Sequence, residues 1–222
     1  MKDWKPTANL KALRLRAELY ALLRHFFAER GVLEVETPVM SSAGNTDPNI
    51  ESFQLGFDGP KAAGAGARWL RTSPEFPLKR LLAAGVGDCF ELGRVFRDGE
   101  AGGRHNPEFT MLEWYRVGWT LEPLMDETVA LVQAALSMVG RSATVARVSF
   151  RDLYRQQLGV DPMTADLETV RNAAAGIAID GDGLTRDDWL DLLMTHRLQP
   201  TFGRDEIRVV HDYPASQCAL AK

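Results

Sequence analysis

Two carboxylates, an arginine and a tyrosine are spaced so that one face of a β-hairpin could carry all four. Between residues 89 and 97, apolar side chains alternate with a second set that includes Glu91 and Arg97, which is the period of a strand with two different faces. The strand that returns after the turn places Glu113 and Tyr115 together on one face. A surface with fixed positive charge and several acceptors suits a ligand that carries both phosphate and ammonium groups. An ordinary hairpin with a solvated face has the same alternation, so the pattern alone leaves both interpretations open.

The elements that must position these residues are predicted to form one α/β domain. Apolar residues recur at helical spacing over 8–30, and Gly31 is a plausible residue for the C′ position. Residues 32–39 predict a short strand closed by Pro38. Two Ser/Thr-x-x-Asp sequences, at Ser149 and Thr185, predict capped helix starts. The remaining predicted elements are helices at 77–84, 123–139, 150–158 and 189–196 and a strand at 207–211.

Composition favours a cytoplasmic globular protein. The chain has 222 residues, of which 45% are hydrophobic, enough to bury a substantial core. It contains no apolar run near the roughly 20 residues that cross a bilayer, so no membrane association is expected, and its first residues lack the apolar segment of a signal peptide. Cys89 and Cys218 are far apart and lack CxxC spacing, so we expect neither a zinc site nor a disulfide.

Three segments resemble the class II aminoacyl-tRNA synthetases in the form used by their lysyl branch. The sequences FRDGE and RHNPEFTMLEWY, within residues 88–117, are similar to motif 2. The sequence RGVLEVETP, within residues 8–40, is similar to motif 1. RTSPE followed by LKRLL, within residues 69–84, is similar to the amino-acid-binding segment. The resemblance covers essentially the whole chain. It implies a class II catalytic domain over residues 1–222, with a mixed, mostly antiparallel sheet flanked by helices, and a homodimer formed through motif 1.

Three further sequence features distinguish this chain from the lysyl-tRNA synthetases themselves. The TSPE sequence, the Trp114-Tyr115 pair and the late HDYPASQ segment are similar to the elongation factor P–lysine ligases. That family activates (R)-β-lysine or lysine with ATP and attaches it to a lysine of elongation factor P. A net charge of −4, without a cluster of Lys and Arg, favours a protein acceptor over tRNA. Few residues precede the first predicted helix, so we expect no anticodon-binding domain. A lysyl-tRNA synthetase core and a catalytically silent binding module of the same fold are the alternatives.

Adenylate formation concentrates negative charge at the α-phosphate of ATP and therefore needs a fixed cation. The resemblance implies that Arg97 supplies it as the catalytic residue, since a guanidinium group can grip two oxygens. A surface ion pair is the alternative role for this side chain. His105 and Phe109 are implied to bound the adenine, with a place in the core as the alternative for Phe109. The implied ATP site comprises Arg97, Asp98, Gly99, Glu100, His105, Asn106 and Phe109.

The amino-acid side of the site is implied to consist of groups that hold ammonium ions, which tolerate desolvation only among several acceptors. Glu75 is implied to receive the amino group nearer the reacting carboxyl, although a carboxylate at a helix N-terminus has the same sequence signature. Glu113 and Tyr115 are implied to hold the distal ammonium. Glu91 is either a further acceptor or a residue that orients Arg97. The implied substrate site comprises Ser73, Pro74, Glu75, Glu113 and Tyr115.

Two departures from the family pattern limit these expectations. Motif 2 usually has Phe-Arg-x-Glu, with a glutamate that contacts the adenine, whereas here Gly99 holds that position and Glu100 follows. The family's metal-binding glutamate and motif 3 have no counterpart in the 222 residues. The fold is therefore expected to be incomplete at its C-terminus, and the ligands of the Mg²⁺ that accompanies ATP are expected outside this chain. We expect weak or no activity from a chain that lacks them.

Overall fold

The computed structural model describes residues 4–47, 49–60, 66–103, 105–179 and 181–217. Its helices and mixed sheets confirm the predicted α/β class. The chain divides into two compact units, Met1–Leu124 and Met125–Lys222, with the boundary inside the third helix. The single catalytic domain expected over residues 1–222 stays a prediction.

The first unit combines short strands and two helices with one long hairpin. Its elements are α1 (Leu10–Ala28), β1 (Leu33–Glu34), β2 (Met40–Ser41), β3 (Gln54–Gly56), β4 (Ala67–Leu70), α2 (Glu75–Ala83), β5 (Cys89–Phe96), β6 (Glu108–Tyr115) and the start of α3 (Leu121–Ser137). One sheet has the order β1-β5-β6, with β1 parallel to β5 and β6 antiparallel to it. The other sheet has the order β2-β4-β3 and is antiparallel throughout. Strand pairing in this unit is therefore mostly antiparallel, as predicted.

Helix α1 covers the apolar face of the long hairpin. Phe27 stacks on Phe90 with ring centroids 4.6 Å apart, and its centroid lies 5.5 Å from that of Trp114. Phe90 pairs with Trp114 across the strands, and the next pair along is Glu91 with Glu113. Because successive side chains of a strand point to opposite faces, the two glutamates lie on the face turned away from α1.

The second unit packs helices around a two-stranded parallel sheet. Its elements are the rest of α3, β7 (Thr144–Ser149), α4 (Phe150–Leu158), α5 (Leu167–Ala173), α6 (Arg186–Leu193) and β8 (Glu206–His211), with a π-helical turn at Met194–Leu198. Buried residues of α4, α5 and α6 form its apolar core, among them Phe150, Leu153, Val170, Leu190 and Leu193.

The predicted helices at 8–30, 77–84, 123–139 and 150–158 are confirmed, with ends shifted by at most two residues. The helix predicted at 189–196 begins earlier, at Arg186, because Thr185 and Asp188 form a complete capping box that fixes its start. Ser149 likewise accepts a hydrogen bond from the Asp152 backbone N–H. Both predicted N-caps are therefore confirmed.

The strand predicted over 32–39 is wrong in its extent. Strand β1 ends at Glu34, and the chain joins the other sheet at Met40. Pro38 lies between the two and lacks the N–H group that a continuous ladder needs. Gly31 adopts the left-handed conformation expected of it, with φ 68°, but the helix C-cap is Glu29, so Gly31 lies two residues beyond the cap.

Among the residues that the structure describes, no helix is long and apolar enough to cross a membrane. Cys89 is a buried free thiol, and burial raises its pKa above the ordinary value. Cys218 lies outside the described residues.

Candidate active site

The hairpin register brings the predicted polar set onto one face of the sheet. Glu91 pairs with Glu113, Cys89 pairs with Tyr115, and Val95 pairs with Phe109. All of these are odd-numbered positions on both strands, so they share the face opposite α1. The shared face inferred from the alternation is confirmed for Glu91, Glu113 and Tyr115. Arg97 follows the last paired residue of β5 and lies beside Phe109 of the same face.

Glu113 is held by two hydroxyl groups from different elements. The Ser73 hydroxyl, which precedes α2, donates to Glu113 Oε2 over 2.7 Å, and the Tyr115 hydroxyl donates to Glu113 Oε1 over 2.9 Å. Hydroxyl donors fix the carboxylate in place without cancelling its charge. Glu113 therefore presents an oriented negative charge on this face.

Tyr115 acts as a neutral donor in this arrangement. Burial raises the pKa of its phenol far above the ordinary value, and the nearby carboxylates of Glu113 and Glu75 raise it further. A phenolate beside these groups would add a third negative charge. Tyr115 thus stays protonated and keeps donating to Glu113.

Glu75 begins α2 and lies close to the same cluster. Its backbone N–H donates to Ser73 Oγ over 3.0 Å, so the hydroxyl that holds Glu113 also accepts from the first N–H group of the helix. Its side chain accepts from Lys79 Nζ over 2.6 Å, an exposed i,i+4 pair. The interpretation of Glu75 as a helix N-terminal carboxylate is therefore confirmed. Its carboxylate also lies near Tyr115, and its contact with a substrate amino group stays a prediction.

Arg97 follows β5 directly and is positioned by contacts from three directions. Its Nε donates to the Thr72 carbonyl over 3.3 Å, and its Nη1 lies 3.3 Å from Glu100 Oε1. The guanidinium carbon lies 5.2 Å from the centroid of the Phe109 ring, and 22% of the side chain is exposed. The Arg97 backbone N–H donates to the Pro107 carbonyl and closes the hairpin below the loop.

The loop between the strands carries the other residues of the predicted nucleotide site. Gly99 has φ 78°, a conformation that side chains disfavour, and its N–H donates to Asp98 Oδ1 over 2.9 Å. Glu100, one residue later, is the carboxylate that meets Arg97. His105 and Asn106 are exposed, and the His105 carbonyl accepts from the Gly102 N–H. Their contact with a nucleotide stays a prediction.

Glu91 does not belong to the ligand surface, and both roles considered for it are wrong. Its Oε1 lies 2.5 Å from Arg71 Nη2, and its Oε2 accepts from the Thr37 hydroxyl over 2.6 Å. The side chain is only 3% exposed. Glu91 therefore neutralises Arg71 and neither orients Arg97 nor offers itself to an ammonium. The roles of Thr37 and Arg71 were not predicted from the sequence. The feature that could have indicated a role for Arg71 is its position two residues before Ser73.

A cavity of about 470 Å³ opens beside the N-terminus of α2. Ser73 and Glu75 line it together with Thr72, Phe76 and the loop of residues 41–45. Of the predicted substrate residues, only Ser73 and Glu75 are among its lining. Glu113 and Tyr115 adjoin it through the Ser73 hydroxyl.

Comparison with known proteins identifies the family. A family profile described as class II tRNA synthetases (D, K and N) matches residues 2–222. The chain belongs to this family, whose members use ATP.

Comparison with individual proteins shows which members of this family the chain resembles. The chain is 44% identical over 223 residues to the elongation factor P–(R)-β-lysine ligase of Vibrio cholerae. It is 45% identical over 222 residues to the protein of the same name from Yersinia enterocolitica. Both alignments cover 99% of this chain, and they cover 68% and 67% of those relatives. The resemblance drawn from the motifs is confirmed.

Proposed function

We propose that this chain activates (R)-β-lysine or lysine with ATP as an aminoacyl adenylate and transfers it to a lysine side chain of elongation factor P. The observation that carries the proposal is the oriented carboxylate of Glu113 on the same sheet face as Phe109, whose ring lies beside the Arg97 guanidinium. The names of the relatives support the substrate and the acceptor.

The cluster of Ser73, Glu75, Glu113 and Tyr115 suits a diamine. Two carboxylates and two hydroxyls offer several acceptors to ammonium groups, and a desolvated ammonium is stable only in such surroundings. In the proposed complex, Glu113 with Tyr115 receives the distal ammonium, and Glu75 receives the amino group nearer the carboxyl. Glu75 would then exchange its exposed pair with Lys79 for the substrate.

Arg97 and Phe109 suit the nucleotide. A guanidinium group beside a half-buried aromatic ring offers a cation to phosphate oxygens and a flat surface to a base. Bound phosphate would compete with Glu100 for Arg97, because both are anions. The described residues contain no group of three or more His, Cys, Asp or Glu side chains placed to hold a metal ion. The proposal includes Mg²⁺ bound together with ATP, because Mg²⁺ in such sites is held mainly by substrate phosphates and one or two carboxylates.

The first proposed reaction is attack of the substrate carboxylate on the α-phosphorus of ATP, with pyrophosphate as the leaving group. Arg97 stabilises the charge that accumulates on the α-phosphate oxygens, and Glu75 and Glu113 align the amino acid. In the second reaction the amine of the acceptor lysine attacks the acyl carbon, AMP leaves, and the amine loses a proton. An amine nucleophile needs access and deprotonation but no nucleophilic side chain on the enzyme.

The proposal includes a cytoplasmic homodimer that uses α1. Leu10 and Leu13, which lie three residues apart on this helix, are 61% and 49% exposed. Exposed apolar side chains that lie near one another are typical of an association surface. Sedimentation equilibrium of the full-length protein would test the dimer.

Pyrophosphate exchange tests the proposed activation step. Full-length protein should exchange labelled pyrophosphate into ATP when (R)-β-lysine or lysine is present, and alanine or glutamate should not support exchange. Exchange with an amino acid that has no side-chain ammonium would contradict the role of Glu113. No exchange with any amino acid would favour a binding module of the same fold.

A further inference from the structure

We propose that Thr37, Arg71, Glu91 and Gly93 form a buried clamp that positions the substrate-binding segment against Arg97. We refer to these four residues as the Arg71 clamp. The inference rests on the proposed function, because it assigns positioning residues to that site. None of the four is proposed to touch a substrate.

Every nitrogen of the Arg71 guanidinium group is engaged. Nε donates to the Arg94 carbonyl over 3.0 Å, and Nη1 donates to the Thr37 hydroxyl over 2.8 Å and to its carbonyl over 3.1 Å. Nη2 lies 2.5 Å from Glu91 Oε1, and the Thr37 hydroxyl donates in turn to Glu91 Oε2. A planar group bonded along three edges has one orientation. The clamp therefore ties residue 71 both to β5 and to the segment after β1.

Gly93 provides the space that the guanidinium occupies. A Cβ atom on Gly93 would lie 2.5 Å from Arg71 Nη2 and 2.9 Å from Glu91 Oε1. Carbon atoms do not approach other heavy atoms so closely, and the second contact is with a fixed carboxylate. The glycine in the middle of β5 is thus explained by close approach of a side chain and not by an unusual backbone angle.

Arg71 is directly followed by the groups that orient the site. The Thr72 carbonyl accepts from Arg97 Nε, and the Ser73 hydroxyl donates to Glu113. The Arg71 backbone is itself fixed, because its carbonyl accepts from the Phe96 N–H over 2.9 Å. A displacement of residue 71 would therefore move the acceptor that holds Arg97 and the donor that holds Glu113 at once.

An apolar replacement can separate the effect of the clamp on catalysis from its effect on the stability of the fold. Removing one partner of a buried ion pair leaves an unpaired charge, whereas replacing both by apolar residues of similar size is often neutral for folding. The variant to test is Arg71→Met with Glu91→Leu in the full-length protein. We expect the variant to stay folded at the assay temperature, with a thermal midpoint lowered because the Arg94 and Thr37 carbonyls lose their donor. We also expect a loss of about 100-fold in kcat for lysine-dependent pyrophosphate exchange, the size of effect that small misplacement produces.

Three comparisons make the test specific. Arg141→Gln with Asp205→Asn removes an exposed ion pair in the second unit and should leave exchange unchanged. Thr37→Val removes the hydroxyl at constant size and should lower kcat, whereas Thr37→Ser keeps the hydroxyl and should recover most of that loss. Gly93→Ala should lower kcat in the wild-type background but add little in the Arg71→Met, Glu91→Leu background, because both groups that its Cβ would strike have been replaced.

A crystal structure of the double variant, Arg71→Met with Glu91→Leu, keeps this inference separate from the proposed function. We expect the distance from Ser73 Oγ to Glu113 to exceed hydrogen-bond range in that variant. An unmoved Ser73 segment, or exchange at the wild-type rate, would overturn the clamp. If the wild type catalyses no exchange, the proposed function fails, and the position of Ser73 in the variant still decides whether the clamp exists.

Discussion

At the scale of single residues, a buried glutamate and a half-buried one on the same strand pair have opposite roles because their donors differ. Glu91 faces the charged guanidinium of Arg71, so its charge is compensated inside the protein. Glu113 faces the hydroxyls of Ser73 and Tyr115, which solvate its charge without cancelling it. Of the two, Glu113 is the one that retains electrostatic attraction for an incoming cation. The distinction depends on the partner and not on the residue type.

Glu113→Gln should weaken binding of the amino acid selectively. The ammonium would lose a charge-assisted hydrogen bond worth about 1.5–3 kcal/mol, so the KM for lysine-type substrates should rise by about tenfold to a hundredfold, with little change for ATP. Steady-state pyrophosphate exchange measures both constants. Glu108→Gln is the matched control, because Glu108 is on the same strand but forms an exposed pair with Arg94. An equal rise of both KM values would assign Glu113 a structural role.

Arg97→Ala should abolish adenylate formation and leave the fold intact. In the proposed reaction this charge faces a phosphate in the transition state, where it is worth on the order of 3 kcal/mol or more. Within the described part of the chain, its side chain contacts Thr72, Glu100 and the Phe109 ring, and the Glu100 pair is partly exposed. The exchange rate and the thermal midpoint of the variant would each be compared with those of the wild type. Near-normal exchange would exclude Arg97 as the catalytic residue.

At the scale of elements, the ends of the long hairpin are held by Asp88. This carboxylate precedes β5 and accepts from the Val117 N–H over 2.7 Å and from Arg116 over 3.0 Å, both of which follow β6. Burial opposes its ionisation, but the two donors outweigh that cost, and the pKa of Asp88 lies below its usual value of 3.8. The charged form of Asp88 therefore stabilises the folded state.

Asp88→Asn should lower stability in a way that depends on pH. Because the folded pKa is depressed, the contribution of Asp88 is fully present above pH 3.8 and is lost as the pH falls through the folded value. We expect the variant to lose about 1 kcal/mol at pH 7 and to converge on the wild type in more acidic solution. Urea unfolding at several pH values measures this. A difference that persists undiminished at pH 2 would point to packing instead, and Asp205→Asn, on an exposed pair, is the control.

The elements differ in how far the sequence predicts them. The hairpin and its polar face follow from period-two alternation, and the starts of α4 and α6 follow from local capping residues. The break between β1 and β2 depends on which sheet each strand joins, and local pattern does not encode that choice. The contact between Arg71 and Glu91 spans two elements and needs the space above Gly93. It became predictable only once strand pairing was known.

At the scale of the whole molecule, the balance of basic and acidic residues bears on whether the acceptor is a protein or tRNA. The chain carries 26 basic and 30 acidic residues. Tight tRNA binding depends on clustered Lys and Arg that displace counterions from the phosphate backbone. A protein acceptor has no such requirement. The charge of this chain therefore agrees with the proposed protein acceptor, elongation factor P, which appears in the names of its relatives.

The full-length protein, given ATP and (R)-β-lysine, should modify elongation factor P and leave tRNA uncharged. Mass spectrometry would follow the increase in mass of elongation factor P, and acid precipitation would follow labelled tRNA in the same reaction. Substitution of the acceptor lysine of elongation factor P by arginine is the control, because a guanidinium group stays protonated and cannot attack the adenylate. Modification should then stop while pyrophosphate exchange continues, since exchange needs only the first reaction. Charging of tRNA would instead assign the chain to the lysyl-tRNA synthetases.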